Sequence, residues 1–269
     1  MIQQGSAYWL KNQDSQNSHF NLLELASTQR AITNYVKILT GREIPVDFVD
    51  PRGDSMTDGE SIEIASRINH KNVDEVVGLA LHEASHCILT DFKIVKKLGN
   101  VILQDHKYKH LFPNRDHVFL FTNFMEDRRI DDFVYNSAPG YKAYYESMYE
   151  SSFFNDTINK GLTGTEYRTE TWESYMFRII NIFNPNSDLD ALYNLRKIYD
   201  IIDLDHINRL KSTRDSIDVA MEITDIVRAS IIVERMINED NFDQSVLEKS
   251  HKKEGEKNDV SKEKIKNAF

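Results

Sequence analysis

The sequence predicts an α+β protein that is mostly helical and carries a small β-sheet. Three observations support this reading. Apolar residues recur at three- and four-residue spacing over most of the chain. Only two short segments alternate as strands do, residues 44–49 (IPVDFV) and 61–66 (SIEIAS). Ten glycines and five prolines in 269 residues are too few for a sandwich of tight turns or for wholesale disorder.

The elements follow in order. Residues 20–39 place Leu22, Leu23, Ala26, Ile32, Tyr35, Val36 and Leu39 at helical spacing, and Gly41 supplies the stop. IPVDFV, with Pro45, suits an edge strand. The turn cluster DPRGDSMTDGE then separates it from SIEIAS. Residues 74–92 (DEVVGLALHEASHCILTDF) predict a helix capped by Asn72 or Asp74, with Asp74 and Glu75 in the first turn, where the helix dipole favours negative charge. It is apolar almost all round and should therefore be buried. Residues 104–117 (QDHKYKHLFPNRDH) read as a surface loop. A helix over 117–135 closes at Asn136, Pro139 and Gly140, and another begins at Tyr141. Residues 166–239 are helical, with breaks at 184–188 and 203–205. Beyond Asp243 mixed charge replaces large apolar residues. The expected organisation is one domain over 1–243 and a charged tail or linker over 244–269.

Charge limits the partners. Forty-three acidic against 33 basic residues give a net charge of −10, which disfavours nucleic acid, because such binding relies on Lys and Arg displacing counterions. The single cysteine, Cys87, excludes an internal disulfide and a cysteine-rich zinc site and fits a reducing compartment. The opening MIQQGSAYWLKNQDSQ shows neither the basic nor the apolar region of a signal peptide. No apolar run reaches the roughly 18–20 residues that span a membrane. A cytoplasmic protein without membrane partners is expected.

The chemistry concentrates in His82-Glu83-Ala84-Ser85-His86, an H-E-x-x-H sequence inside the apolar helix. Residues i and i+4 share a helical face, so both imidazoles can converge on one metal ion. Glu83 projects beside them as a general base for a water at the metal. Two His and one Glu amid VVGLALHEASHCIL are costly to bury unless something pairs with them, and a metal accounts for all three. Zn²⁺ suits such nitrogen and oxygen donors, and a catalytic site keeps one position open. A third ligand is required. Cys87, next to His86, points about 100° away and reads as a small buried hydrophobe. The helix segment NFMEDRRIDD offers Glu126 and Asp127, one of which should reach inward, and His106, His110 and His117 are the other candidates.

HEASHCILTDF followed by NFMEDRRIDDFVYNSAPGYKAYY resembles the metallopeptidase-like domain associated with von Willebrand factor A domains. That family occurs in phages and bacteria beside MoxR-type AAA+ ATPases and is related to cobaltochelatase-like subunits. In it an H-E-x-x-H helix is followed by an N-x-x-E-D-x-R helix, and the resemblance covers about residues 20–235. It implies a zincin fold with Glu126 as third ligand. The D-x-S-x-S sequence of a von Willebrand A domain is absent from this chain.

The expected site is therefore His82, His86 and Glu126 on zinc, with Glu83 as general base. Asp127 and Asp131, with Asp91 as a weaker choice, are placed to accept from the histidines, and Asn123 should share the Glu126 side of its helix. Tyr135, Tyr141, Tyr144 and Tyr145 offer hydroxyls to an oxyanion, and Tyr141 is assigned that role. SIEIAS is placed to hold an extended peptide by strand addition. The expected activity is zinc-dependent hydrolysis of a polypeptide. The alternative is a non-proteolytic, metal-binding adaptor of a MoxR-type AAA+ ATPase.

Overall fold

The apolar run that surrounds the two histidines folds as a helix whose burial organises half of the molecule. The computed structural model describes residues 22–238, except 51, 66, 67, 69 and 70. The tail expected after Asp243, and the domain boundary with it, lie outside the described residues. Helix α1 (Leu22–Thr40) leads into strands β1 (Val46–Phe48), β2 (Met56–Thr57) and β3 (Ile62–Ile64). The histidine helix is α2 (Val73–Leu89). Short helices α3 (Phe92–Val95) and α4 (Leu98–Gln104) and a 3₁₀ turn (Lys109–Asn114) lead to the long α5 (Arg115–Ser137). Then come α6 (Lys142–Phe153), α7 (Asp156–Thr163), α8 (Trp172–Ile180), α9 (Leu195–Ile202) and α10 (213–238). The expected mostly helical α+β class, with a small sheet, is what is observed.

The sheet has the order β1-β3-β2, with β1 parallel and β2 antiparallel to β3. β1 is an edge strand, as Pro45 suggests. β3 is the central strand, so both of its edges are already paired and no peptide can add to it; the strand-addition role expected of SIEIAS does not hold. β2 was hidden in the turn cluster, because two residues are too short to show alternation. The segment expected as a surface loop is also partly inside: Tyr108 and Leu111 are buried.

Two apolar clusters form. One joins α1, the sheet, α2 and α6 through Ile32, Val36, Ile62, Ile64, Leu81 and Met148. The other joins α4, α5, α8, α9 and α10 through Ile102, Phe121, Met125, Ile179, Ile198 and Ile223. Helix α5 serves both, giving Phe121 and Met125 to the second and Val134 to the first. The expected break at 203–205 is Asp203, left-handed at φ 48°, which ends α9. Among the described residues no helix is long and apolar enough to cross a membrane.

The pairing of α2 with α6 depends on one missing side chain. A Cβ on Gly78 would lie 2.3 Å from the Tyr144 carbonyl oxygen and 2.9 Å from Met148 Cβ. The first contact is with backbone, which cannot swing aside. Gly78→Ala is expected to lower stability by about 1–3 kcal/mol in urea unfolding, the usual cost of overpacking. Gly140→Ala, where nothing lies within 4 Å, should change it little. Equal midpoints for the two variants would show that the helices separate without cost.

Candidate metal centre

His82 and His86, one turn apart on α2, present rings 4.9 Å apart at 85°. α5 crosses in front of them. Asp127 Oδ1 lies 3.1 Å from His86 Nε2 and 3.8 Å from His82 Nε2. His82, His86 and Asp127 each offer a ligand atom within 4.8 Å of the others, and they form the one such group of three among the described residues. Two imidazole nitrogens and a carboxylate oxygen at this separation fit a divalent transition metal.

The far side of each ring is held. His82 Nδ1 is 2.8 Å from Asp131 Oδ1. Asp131 Oδ2 accepts from Tyr149 Oη at 2.5 Å and Arg128 Nη2 at 3.4 Å. His86 Nδ1 is 2.9 Å from Thr90 Oγ1, whose own proton goes to Glu126 Oε1 at 2.9 Å. The Thr90 oxygen must therefore accept from His86 Nδ1–H. Both rings carry their Nδ1 proton away from the centre and turn Nε2 towards Asp127, the orientation a metal ligand needs. Burial opposes charge on His82, but the ion pair and hydrogen bond with Asp131 prevail and push its pKa up to about 10. A metal arriving there displaces the Nε2 proton.

Glu126 is not where the sequence analysis expects the third ligand. It is 2% exposed, and its carboxylate turns into the protein and not towards the histidine nitrogens. Oε1 accepts from Arg129 Nη2 at 2.6 Å, Thr213 Oγ1 at 2.8 Å and Thr90. Oε2 accepts from Arg129 Nε at 3.0 Å and Ser216 Oγ at 2.8 Å. Burial works against its ionisation, yet Arg129 and the hydroxyls hold its pKa below the usual carboxylate range. Adjacent helical residues point about 100° apart. Glu126 therefore faces α10, and Asp127 faces the two histidines.

Glu83 is buried beside the histidines and has no hydrogen-bond partner among the described residues. Burial raises its pKa, against the opposing pull of His82 and His86. Tyr141 lies half-buried against the α1–sheet–α2 cluster, and the tyrosines brought to the site are others. Tyr149 donates to Asp131. Tyr145 Oη lies 3.2 Å from Ser85 Oγ, whose proton goes to the Leu81 carbonyl, so Tyr145 is the donor. Asn123 is exposed on α5, one turn before Asp127.

The remaining candidates are engaged elsewhere. His110 pairs with Asp225, His117 stacks on Trp172, and His106 is exposed. Asp91 caps α3 through the Lys93 and Ile94 amides. Cys87 meets Thr57, and burial raises its pKa. Sequence reasoning missed Thr90, Tyr149, Thr213 and Ser216. The last two had a readable sign: Ser212-Thr213-Arg214-Asp215 is a capping box in which Ser212 N–H donates to Asp215 Oδ2, and Asp215 N–H to Ser212 Oγ. It fixes the first turn of α10, whose Thr213 and Ser216 reach Glu126. Comparison of the chain with protein-family models, curated proteins and solved structures finds no match in any of them.

This geometry separates two neighbouring carboxylates by experiment. Asp127→Ala should unfold near the wild-type urea midpoint and weaken zinc affinity at least tenfold in chelator competition. Glu126→Ala should cost about 3–5 kcal/mol of stability, because it leaves Arg129 charged and buried. Zinc affinity intact in the folded Asp127 variant would remove Asp127 from the centre.

Proposed function

We propose that the chain is a zincin-like zinc hydrolase of peptide bonds, with His82, His86 and Asp127 as metal ligands and Glu83 as general base. The observation that carries this reading is the convergence of both Nε2 atoms on Asp127 Oδ1, each ring held from behind at Nδ1. The H-E-x-x-H and N-x-x-E-D-x-R sequences add the family resemblance, with one amendment. The ligand is the aspartate of the second motif, and its glutamate anchors α10.

The donor set suits the ion in charge as well as in kind. Two neutral imidazoles and one carboxylate leave a centre of net +1, and three protein ligands leave a coordination position open. Zinc held there would act as a Lewis acid on a carbonyl and would lower the pKa of water towards about 7. Glu83 does the proton work. Its carboxylate has no hydrogen-bond partner among the described residues and its pKa is raised by burial, so it takes a proton from water at the site and passes it to the leaving amine. Asp131 and the Thr90–Glu126 pair keep the imidazoles from turning during that exchange. Tyr145 and Tyr149 brace the site; their hydroxyls are committed, and burial raises both pKa values further. A MoxR-type AAA+ ATPase is the partner proposed from the resemblance alone.

The purified protein should contain close to one zinc per chain. Glu83→Gln should keep the zinc and the fold while hydrolysis of unfolded polypeptide falls by about 10²–10⁴. Cleavage by the variant at the wild-type rate would remove Glu83 from the chemistry. Zinc in both forms with cleavage by neither would leave the adaptor role.

A further inference from the structure

A cavity of about 420 Å³ opens beside the centre, between the second half of α5, α6 and the turn after α9. Tyr145, Tyr149, Phe154 and Phe183 form its aromatic walls, and Leu204 and Ile207 close it. Asp131 and Arg128 are also in its lining. Four of its residues, Asp131, Tyr149, Arg128 and Tyr145, belong to the site already described. Asp131 holds His82, and Tyr149 holds Asp131. The cavity therefore begins behind the His82 ring, on the side away from Asp127. Tyr145, whose hydroxyl reaches Ser85 inside the H-E-x-x-H sequence, ties the same wall to α2.

Its charges are unevenly placed. Arg128, the basic residue of the lining, is buried against the rings of Phe124, Tyr149, Phe153 and Phe183, and Asp131 is its counter-charge. The remaining charged lining groups are Asp132, Glu146 and Glu150, all carboxylates. Glu146 accepts from Tyr135, and Asp132 from the Asn136 amide. Glu150 is exposed and has no hydrogen-bond or ion-pair partner among the described residues. An apolar chamber with an acidic mouth attracts a ligand that is apolar at one end and cationic at the other. The volume holds a large aromatic or aliphatic side chain with part of its backbone.

We infer that this cavity is a specificity pocket for a large apolar residue of a peptide flanked by Lys or Arg. The choice of a peptide rests on the hydrolase reading. The apolar side chain fills the chamber, and the flanking cations meet Glu150, Glu146 and Asp132. The pocket selects the peptide; it takes no part in the chemistry.

The test uses full-length protein carrying Glu83→Gln and labelled Gly/Ser peptides, read by fluorescence anisotropy. A peptide with a central Lys-Phe-Lys should bind about tenfold or more tightly than one with Lys-Gly-Lys, the loss of one buried aromatic side chain. It should also bind more tightly than one with Glu-Phe-Glu. Leu204→Trp, which fills the chamber, should abolish the preference for Phe. If that variant fails to fold, Phe154→Ser, which opens a wall, carries the same test. Glu150→Gln should weaken the Lys-Phe-Lys peptide about two- to fivefold and leave a Gly-Phe-Gly peptide unchanged. Peptide binding indifferent to Leu204→Trp or Phe154→Ser, or a preference for acidic flanks, would overturn the pocket. So would saturable binding of tryptamine, a free aromatic amine, with no binding of any peptide. Failure of the wild type to hydrolyse a peptide that binds as expected would sink the hydrolase reading and leave the pocket standing.

Discussion

The structure around the candidate centre depends on one buried ion pair, Glu126 with Arg129. A buried charge pair is costly unless every lone pair and proton finds a partner. Here the partners come from three directions. Arg129 Nη2 also donates to the Leu89 carbonyl at the end of α2, at 2.7 Å. Thr90 approaches from just beyond that end, and Thr213 and Ser216 come from α10. Thr213 Oγ1 in turn accepts from the Asp91 amide at 2.8 Å. The pair thus joins the end of the histidine helix, the middle of α5 and the start of α10. Removing either charge strands the other and releases all three.

That junction sets the angle at which His86 is presented. Thr90 is the C-cap of α2, with extended backbone, so its side chain leaves the helix axis and can bridge to α5. With its proton committed to Glu126, it can only accept from the imidazole. His82 reaches the same end by a shorter route, a direct bond to Asp131. The two histidines are therefore oriented by different residues of α5, Glu126 through Thr90 and Asp131 directly, and any sliding of α2 against α5 disturbs both. Gly78, one turn before His82, admits α6 at close approach, so the histidine helix is held by α6 as well as by α5.

How much of this was legible in the sequence follows from the physics of each part. Periodicity reports burial of apolar faces, so α1, α2 and the breaks near residues 184–188 and 203–205 could be read directly. The H-E-x-x-H spacing is local to one helix, and the placement of His82, Glu83 and His86 needs only helical geometry. Asp131 was legible as a histidine partner because it sits one turn beyond Asp127 on the same helix. The third ligand was not. Glu126 and Asp127 differ by about 100° of helical rotation, and which one faces α2 is decided by a salt bridge inside α5 and by hydroxyls 87 and 90 residues away. No local pattern carries that information. Thr90 and Tyr149 were equally silent, since a lone hydroxyl has no periodicity.

Helix α5 explains why charge appears where a core is expected. Glu126, Arg128, Arg129 and Asp131 are all buried, in a helix that also gives Phe121, Phe124 and Met125 to the core. Each acid is matched to a base three residues on, Glu126 with Arg129 and Arg128 with Asp131 in reverse order. The first pair faces α10 and the second faces the cavity, and Asp127 projects between them without an arginine of its own. Arg129 spends its donors on Glu126 and the Leu89 carbonyl, while Arg128 is drawn into the aromatic cluster. Asp127 is thereby left with the two histidines as its partners. An acid denied its local bases, facing two imidazoles whose outer nitrogens are already held, is the arrangement that a cation completes.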